Sequence, residues 1–125
     1  GSCLGMCMRK PIQNILDKSD IHAEEVQELL YARAEGKIDF LLVDVREDME
    51  YRMGHIKGVD TLLPISSFGE WAEKLATENQ DRTIIFTCRT GNRSGRVQRI
   101  FKQNGFDLVA NHAGGIVSYR GEIEY

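Results

Sequence analysis

Of 125 residues, only three are cysteine (Cys3, Cys7 and Cys88) and two are proline. An odd, sparse set of thiols makes no disulfide framework. A chain of this length buries a core without such staples, so the scarcity fits a reducing compartment. A net charge of −3 offers no basic footprint for nucleic acid or an anionic membrane surface. No run is apolar and long enough to span a bilayer. Neither a histidine nor a further cysteine lies near Cys3-x-x-x-Cys7, so no metal-ligand set is completed there. Internal repeats, low-complexity tracts and internal linkers are also missing, which leaves one domain.

Residues 1–11 lack periodicity and read as a flexible N-terminal segment, with the domain proper spanning 12–125. Gly1-Ser2 reads as left over from expression, which hides the native start. The default compartment is the cytoplasm. An apolar segment running into Arg9-Lys10 keeps a trimmed membrane anchor, or a periplasmic location, open as a minority reading.

What is present centres on Ile84-Ile85-Phe86-Thr87-Cys88-Arg89-Thr90-Gly91-Asn92-Arg93-Ser94-Gly95. An apolar run delivers one cysteine into a loop of Gly, Arg and hydroxyl residues. A helical pattern carried by Val97, Ile100 and Phe101 begins directly after it. A strand that ends on a thiol and turns into a helix aims backbone N–H groups and the positive helix end at the sulfur. Arg89 and Arg93 are expected to add full charges to the same effect, favouring thiolate over thiol. Arg99 and Lys102, further along, read as a solvated helix face. A buried inert thiol is the competing reading for Cys88. Two arginines and a Gly-Asn turn are poor company for one.

Elsewhere the chain alternates. An irregular segment leads to a short edge strand near Ile21, and a helix follows over Ala23 to Glu35, ended by Gly36. His22, Ser19 and Asp20 compete as its cap. Asp39 to Arg46 reads as a buried strand, Glu47 to Met53 as a helical turn, and Gly54 to Gly58 as a loop. Leu62-Leu63-Pro64 is a further short strand. A helix capped by Ser66 or Ser67 then buries Phe68, Trp71, Ala72 and Leu75. After the central strand, Thr83 to Thr87, the next helix starts at Ser94 and stops at Gly105. Leu108-Val109-Ala110 makes a last strand, and a short helix around Ile116–Arg120 closes the chain. Apolar strands alternating with helices imply an α/β fold with a central parallel sheet flanked by helices, and ligands bind beyond the carboxyl ends of such strands.

The motifs then converge on a family. Asp44-Val45-Arg46, Glu50-Tyr51, Gly54-His55-Ile56-x-Gly58 and Pro64 resemble the first signature of single-domain rhodaneses, the thiosulfate sulfurtransferases and their kin. Cys88-Arg89-Thr90-Gly91-Asn92-Arg93-Ser94 resembles their active loop, and Gly105-Phe106 with Gly114-Gly115 resembles their tail. The resemblance runs from about Ile21 to Arg120. It implies the rhodanese-like three-layer domain, with Cys88 as the nucleophile carrying a persulfide. It also implies that amides from Arg89 to Ser94 line the anion-binding pocket, and that Asp44, Arg46, Glu50 and His55 act as scaffold. One departure is Tyr119, where the family has Trp; Cys3 and Cys7 match nothing in the pattern.

The expected reaction moves a sulfane sulfur from thiosulfate or a similar small anion to a thiophilic acceptor. That acceptor is cyanide or a thiol, a protein thiol included, and the reaction needs no cofactor or metal. Helix end, amides and arginines lower the thiol pKa without a general base, so no catalytic histidine is required. Cysteine phosphatases and arsenate reductases are the rival enzyme class. Four residues separate Cys88 from Arg93, one fewer than in their signature, and the tighter loop suits sulfur over a tetrahedral phosphate. A non-enzymatic sulfur relay or interaction module for a partner protein is the third reading.

Overall fold

A computed structural model describes residues 11–125. The flexible segment expected at the N-terminus, and any role for Cys3 and Cys7, lie outside the described residues. Continuous apolar runs need cover on both faces, and the fold supplies it. Five parallel strands form the central sheet in the order β1-β6-β5-β2-β4. They are β1 (Asp20–Ile21), β2 (Leu41–Asp44), β4 (Thr61–Leu62), β5 (Ile84–Thr87) and β6 (Val109–His112). Side chains alternate across each strand. Leu42, Ile85 and Ala110 therefore join one core, with Leu16, Ile21, Val26 and Leu29. Val43, Ile84, Phe86 and Val109 join the other, with Trp71, Leu75, Val97 and Phe101. Helices α1 (Pro11–Leu16) and α2 (Ala23–Ala34) cover the first face, and α4 (Phe68–Glu78) and α5 (Asn92–Gln103) the second. The result is the three-layer architecture expected. Among the described residues, no helix is long and apolar enough to cross a membrane.

Local differences from the expectation have physical causes. The segment before β1 is helical, because Ile12, Ile15 and Leu16 share one face that packs on α2. His22 is the cap of α2, and its backbone N–H donates to Glu25 Oε1 at 3.0 Å. Ser19 and Asp20 are taken up by the sheet edge instead. The loop at Gly54–Gly58 contains β3 (His55–Ile56), which pairs antiparallel with β7 (Ile123–Glu124). The closing helix is only a 3₁₀ turn, Ile116–Ser118. Helix α5 begins at Asn92 rather than Ser94, because Gly91 takes a left-handed φ of 95° and acts as the cap.

Candidate active site

β5 is the middle strand of the sheet, and all its neighbours run parallel to it. Its register puts Thr87 beside Asp44 of β2 and Phe86 beside Asn111 of β6. Cys88 follows at once, at the carboxyl edge. The peptides around it are held from below by the chain tail: Ile116 N–H donates to the Cys88 carbonyl at 2.9 Å and Val117 N–H to the Arg89 carbonyl at 3.1 Å. That approach depends on Gly115, since a Cβ there would run into the Cys88 and Arg89 carbonyls. Gly91 is constrained in the same way, a Cβ falling 2.9 Å from the Gly114 amide. Two separated glycine motifs thus meet at one place.

The loop curls over the sulfur. Cys88 Sγ accepts from the Gly91 N–H at 3.1 Å, the Ser94 N–H at 3.4 Å and the Ser94 hydroxyl at 3.3 Å. Burial pushes this thiol up, but it is outweighed by the Ser94 hydroxyl and the amides of Ser94, Gly91 and Thr90. The net effect holds Cys88 below the ordinary thiol range, in the company of the positive end of α5. Only 1% of Cys88 is exposed. Two cavities, of about 640 and 620 Å³, lie elsewhere: one between α4 and α5, the other between α2 and the segment around Tyr119. Above the sulfur, Arg89, Thr90 and Asn92 form an exposed rim.

The two arginines are placed differently from each other. Arg93 does not point its charge at the sulfur alone. Its guanidinium clamps Glu50 of the short helix α3 (Asp48–Arg52) through two bonds, 2.7 and 2.9 Å long. Arg89 is exposed at the rim. Beneath the loop, Arg46 binds Asp44 through Nε and Nη2 at 2.8 to 3.0 Å. The same Nη2 donates to the Gly54 carbonyl at 2.7 Å. His55 stacks on Tyr51 at 4.0 Å, its Nδ1 lying 3.0 Å from the Tyr51 carbonyl. Of Asp44, Arg46, Glu50 and His55, only Glu50 has a side-chain hydrogen bond to a residue of the loop, Arg93, among the described residues. None of them has a hydrogen bond to Sγ among the described residues.

Two polar side chains here went unnoticed in the sequence. Asn111 joins Ser94 and Gly91, accepting from the Ser94 hydroxyl at 2.6 Å and donating to the Gly91 carbonyl at 3.2 Å. His112 is fully buried, its Nδ1 lying 2.8 Å from Thr87 Oγ1. Burial pushes the His112 pKa down to about 4, so the ring is neutral at neutral pH. The available signal was a polar pair ending an otherwise apolar strand at the carboxyl edge. No cluster of three or more His, Cys, Asp or Glu side chains able to hold a metal occurs among the described residues.

Comparison with known proteins places the fold among relatives. Residues 23–122 match the family model described as "Rhodanese-like domain". YtwF of Bacillus subtilis, whose name proposes a sulfurtransferase, is 33% identical over 104 residues, covering 80% of this chain and 96% of its own. The tRNA uridine(34) hydroxylase of Citrobacter koseri is 29% identical over 111 residues, but this chain spans only 31% of its length. Among solved structures, a rhodanese-like domain protein from Staphylococcus aureus superposes with a TM-score of 0.68. It is 26% identical, over 86% of this chain and 97% of that one. Five parallel strands, a cysteine loop capping the central one and a match over most of the sequence lead to one conclusion: the chain belongs to the rhodanese-like domain family.

Proposed function

We propose that this protein is a sulfurtransferase that carries sulfane sulfur as a persulfide on Cys88. The thiolate attacks the outer sulfur of thiosulfate or a similar anionic donor. A new S–S bond forms as the donor's S–S bond breaks, and sulfite leaves with the bonding pair. In the second half-reaction an acceptor, cyanide or a thiolate, attacks the outer sulfur. The Cys88 sulfur leaves as thiolate, and no net oxidation occurs.

The observation that carries this reading is the convergence of two amides and one hydroxyl on Sγ, at 3.1 to 3.4 Å, at the head of a helix. Such a cradle stabilises charge on sulfur without a base, and its amides serve the charged outer sulfur of a persulfide in the same way. Arg89, on the exposed rim, is placed to meet an anionic donor before it reaches the sulfur. The buried sulfur also sets a condition: with 1% of Cys88 exposed, little of it is open to a donor in this conformation.

Incubation with thiosulfate, followed by mass spectrometry, tests the reading. It expects roughly 32 Da added to the Cys88 peptide. It also expects thiocyanate formation from thiosulfate and cyanide, abolished by Cys88→Ser. Transfer that survives Cys88→Ser, or an unmodified Cys88 across a panel of thiosulfate, polysulfide and glutathione persulfide, overturns it.

A further inference from the structure

The structure assigns Asn111 a positioning role: its side-chain carbonyl and the Cys88 sulfur compete for the single hydroxyl proton of Ser94. Ser94 Oγ lies 2.6 Å from Asn111 Oδ1 and 3.3 Å from Cys88 Sγ. A hydroxyl carries one proton and donates to one of them at a time.

The orientation of the Asn111 amide follows from its other contact. Nδ2 faces the Gly91 carbonyl at 3.2 Å, and a carbonyl can only accept. Turning the amide over would set two acceptors against each other, so Oδ1 must face Ser94. The strand holds Asn111 rigidly, its backbone N–H donating to the Ser19 carbonyl at 2.8 Å. Gly95 leaves the room it needs, since a Cβ there would come within 3.2 Å of Nδ2.

Cys88, Ser94 and Asn111 are all buried, so an acceptor that loses its donor has no easy replacement. With Cys88 as a thiol, every group is served: S–H donates to Ser94 Oγ, the hydroxyl to Asn111 Oδ1, and Nδ2 to Gly91. When the thiol gives its proton to solvent, the sulfur becomes the stronger acceptor. The Ser94 hydroxyl turns to it, and Asn111 Oδ1 is stranded. On the reading of Cys88 as the sulfur carrier, the persulfide restores the chain of bonds, because its charge sits on the outer sulfur. The free thiolate is then the state Asn111 stabilises least, which keeps it basic and a stronger nucleophile.

The charged and titratable groups packed round this chain are Arg93 with Glu50, Asp44 with Arg46, His112 behind Thr87, Arg89 at the rim and Arg99 beside Gly95. None of them hydrogen-bonds Ser94 or Asn111 side chains among the described residues.

The test measures the Cys88 pKa from the pH dependence of iodoacetamide alkylation, followed on the Cys88 peptide by mass spectrometry so that Cys3 and Cys7 do not contribute. Asn111→Leu removes the competing acceptor and is expected to raise the thiolate fraction about 3- to 10-fold below the midpoint, half to one pH unit. Asn111→Asp keeps the acceptor and adds charge, and is expected to move the midpoint the other way. In a Ser94→Ala background, Asn111→Leu should have no effect on the midpoint. Asn111→Ala carries the same expectations as Asn111→Leu should the leucine variant fail to fold. An unchanged midpoint in the Asn111 variants, or an equal shift with and without Ser94, overturns the proposal. No sulfur donor enters this measurement. Loss of the sulfurtransferase reading would therefore show in the thiosulfate experiment, and loss of the Asn111 role here.

Discussion

Glu50 and Arg93 meet through two hydrogen bonds of 2.7 and 2.9 Å, although they stand 43 positions apart in the chain. One belongs to α3 and the other to the first turn of α5, so the pair fastens the flank of the sheet to the helix that caps the sulfur. Bidentate geometry makes the clamp directional as well as attractive.

The clamp predicts acid sensitivity. Bonding to Arg93 holds the Glu50 carboxyl down to about 2, against the upward push of burial, from an ordinary value of 4.5. A carboxyl depressed in the folded state adds stability above its unfolded value and loses it as pH falls through the folded one. The loss should fall between pH 4.5 and about 2. About a third of each side chain is exposed, so solvent screening limits the contribution to about 1 kcal/mol. Glu50→Gln should flatten this part of a plot of thermal midpoint against pH. Parallel curves for variant and wild type across that window would contradict it.

His112 predicts a second, milder window. Its pKa falls from 6.5 to about 4 because burial disfavours the imidazolium. Below 6.5 the unfolded chain takes up a proton that the folded chain refuses, so stability drops as pH falls towards 4 and levels off beneath it. The difference, about 2.5 units at roughly 1.4 kcal/mol each, is worth about 3 kcal/mol. Urea unfolding at pH 7 and pH 5 should show a little over half of this drop, about 2 kcal/mol, in the wild type and little of it in His112→Asn. A wild-type stability that does not fall over that interval would rule the account out.

Two glycine substitutions should separate backbone strain from crowding. Gly105 and Gly115 both have positive φ, 86° and 62°. Around Gly105 there is open space, whereas a Cβ at Gly115 meets the Cys88 and Arg89 carbonyls. Gly105→Ala should cost only the strain, about 1–2 kcal/mol, and leave Cys88 alkylation unchanged. Gly115→Ala should cost about 1–3 kcal/mol more and shift the alkylation profile, because the loop must move. Equal effects from the two would mean that the tail does not hold the loop.

Much of the fold was legible because burial on both faces writes itself as unbroken apolar runs. Leu41–Val43 and Ile84–Phe86 could hardly be anything but inner strands, and Cys88 stands where one of them stops. What the chain hid was pairing over distance. His55–Ile56 looked like loop because its partner, Ile123–Glu124, lies at the other end of the sequence. Arg93 looked free to face the sulfur because nothing local announces Glu50. Asn111 lay just past the strand as read, Leu108-Val109-Ala110. Its importance comes from Ser94 and Gly91, which β6 meets only once the sheet has formed. The start of α5 was misplaced for a smaller reason: the turn at Gly91 begins the helix before its first core-facing side chain.

The bonds from Ile116 and Val117 to the peptides of Cys88 and Arg89 carry one more consequence. A protein cut just before Ile116 would keep every residue of the five parallel strands and of the four helices that cover them. Its cysteine turn would nevertheless have lost its keel, so a segment more than twenty positions past Cys88 helps to hold that turn in place.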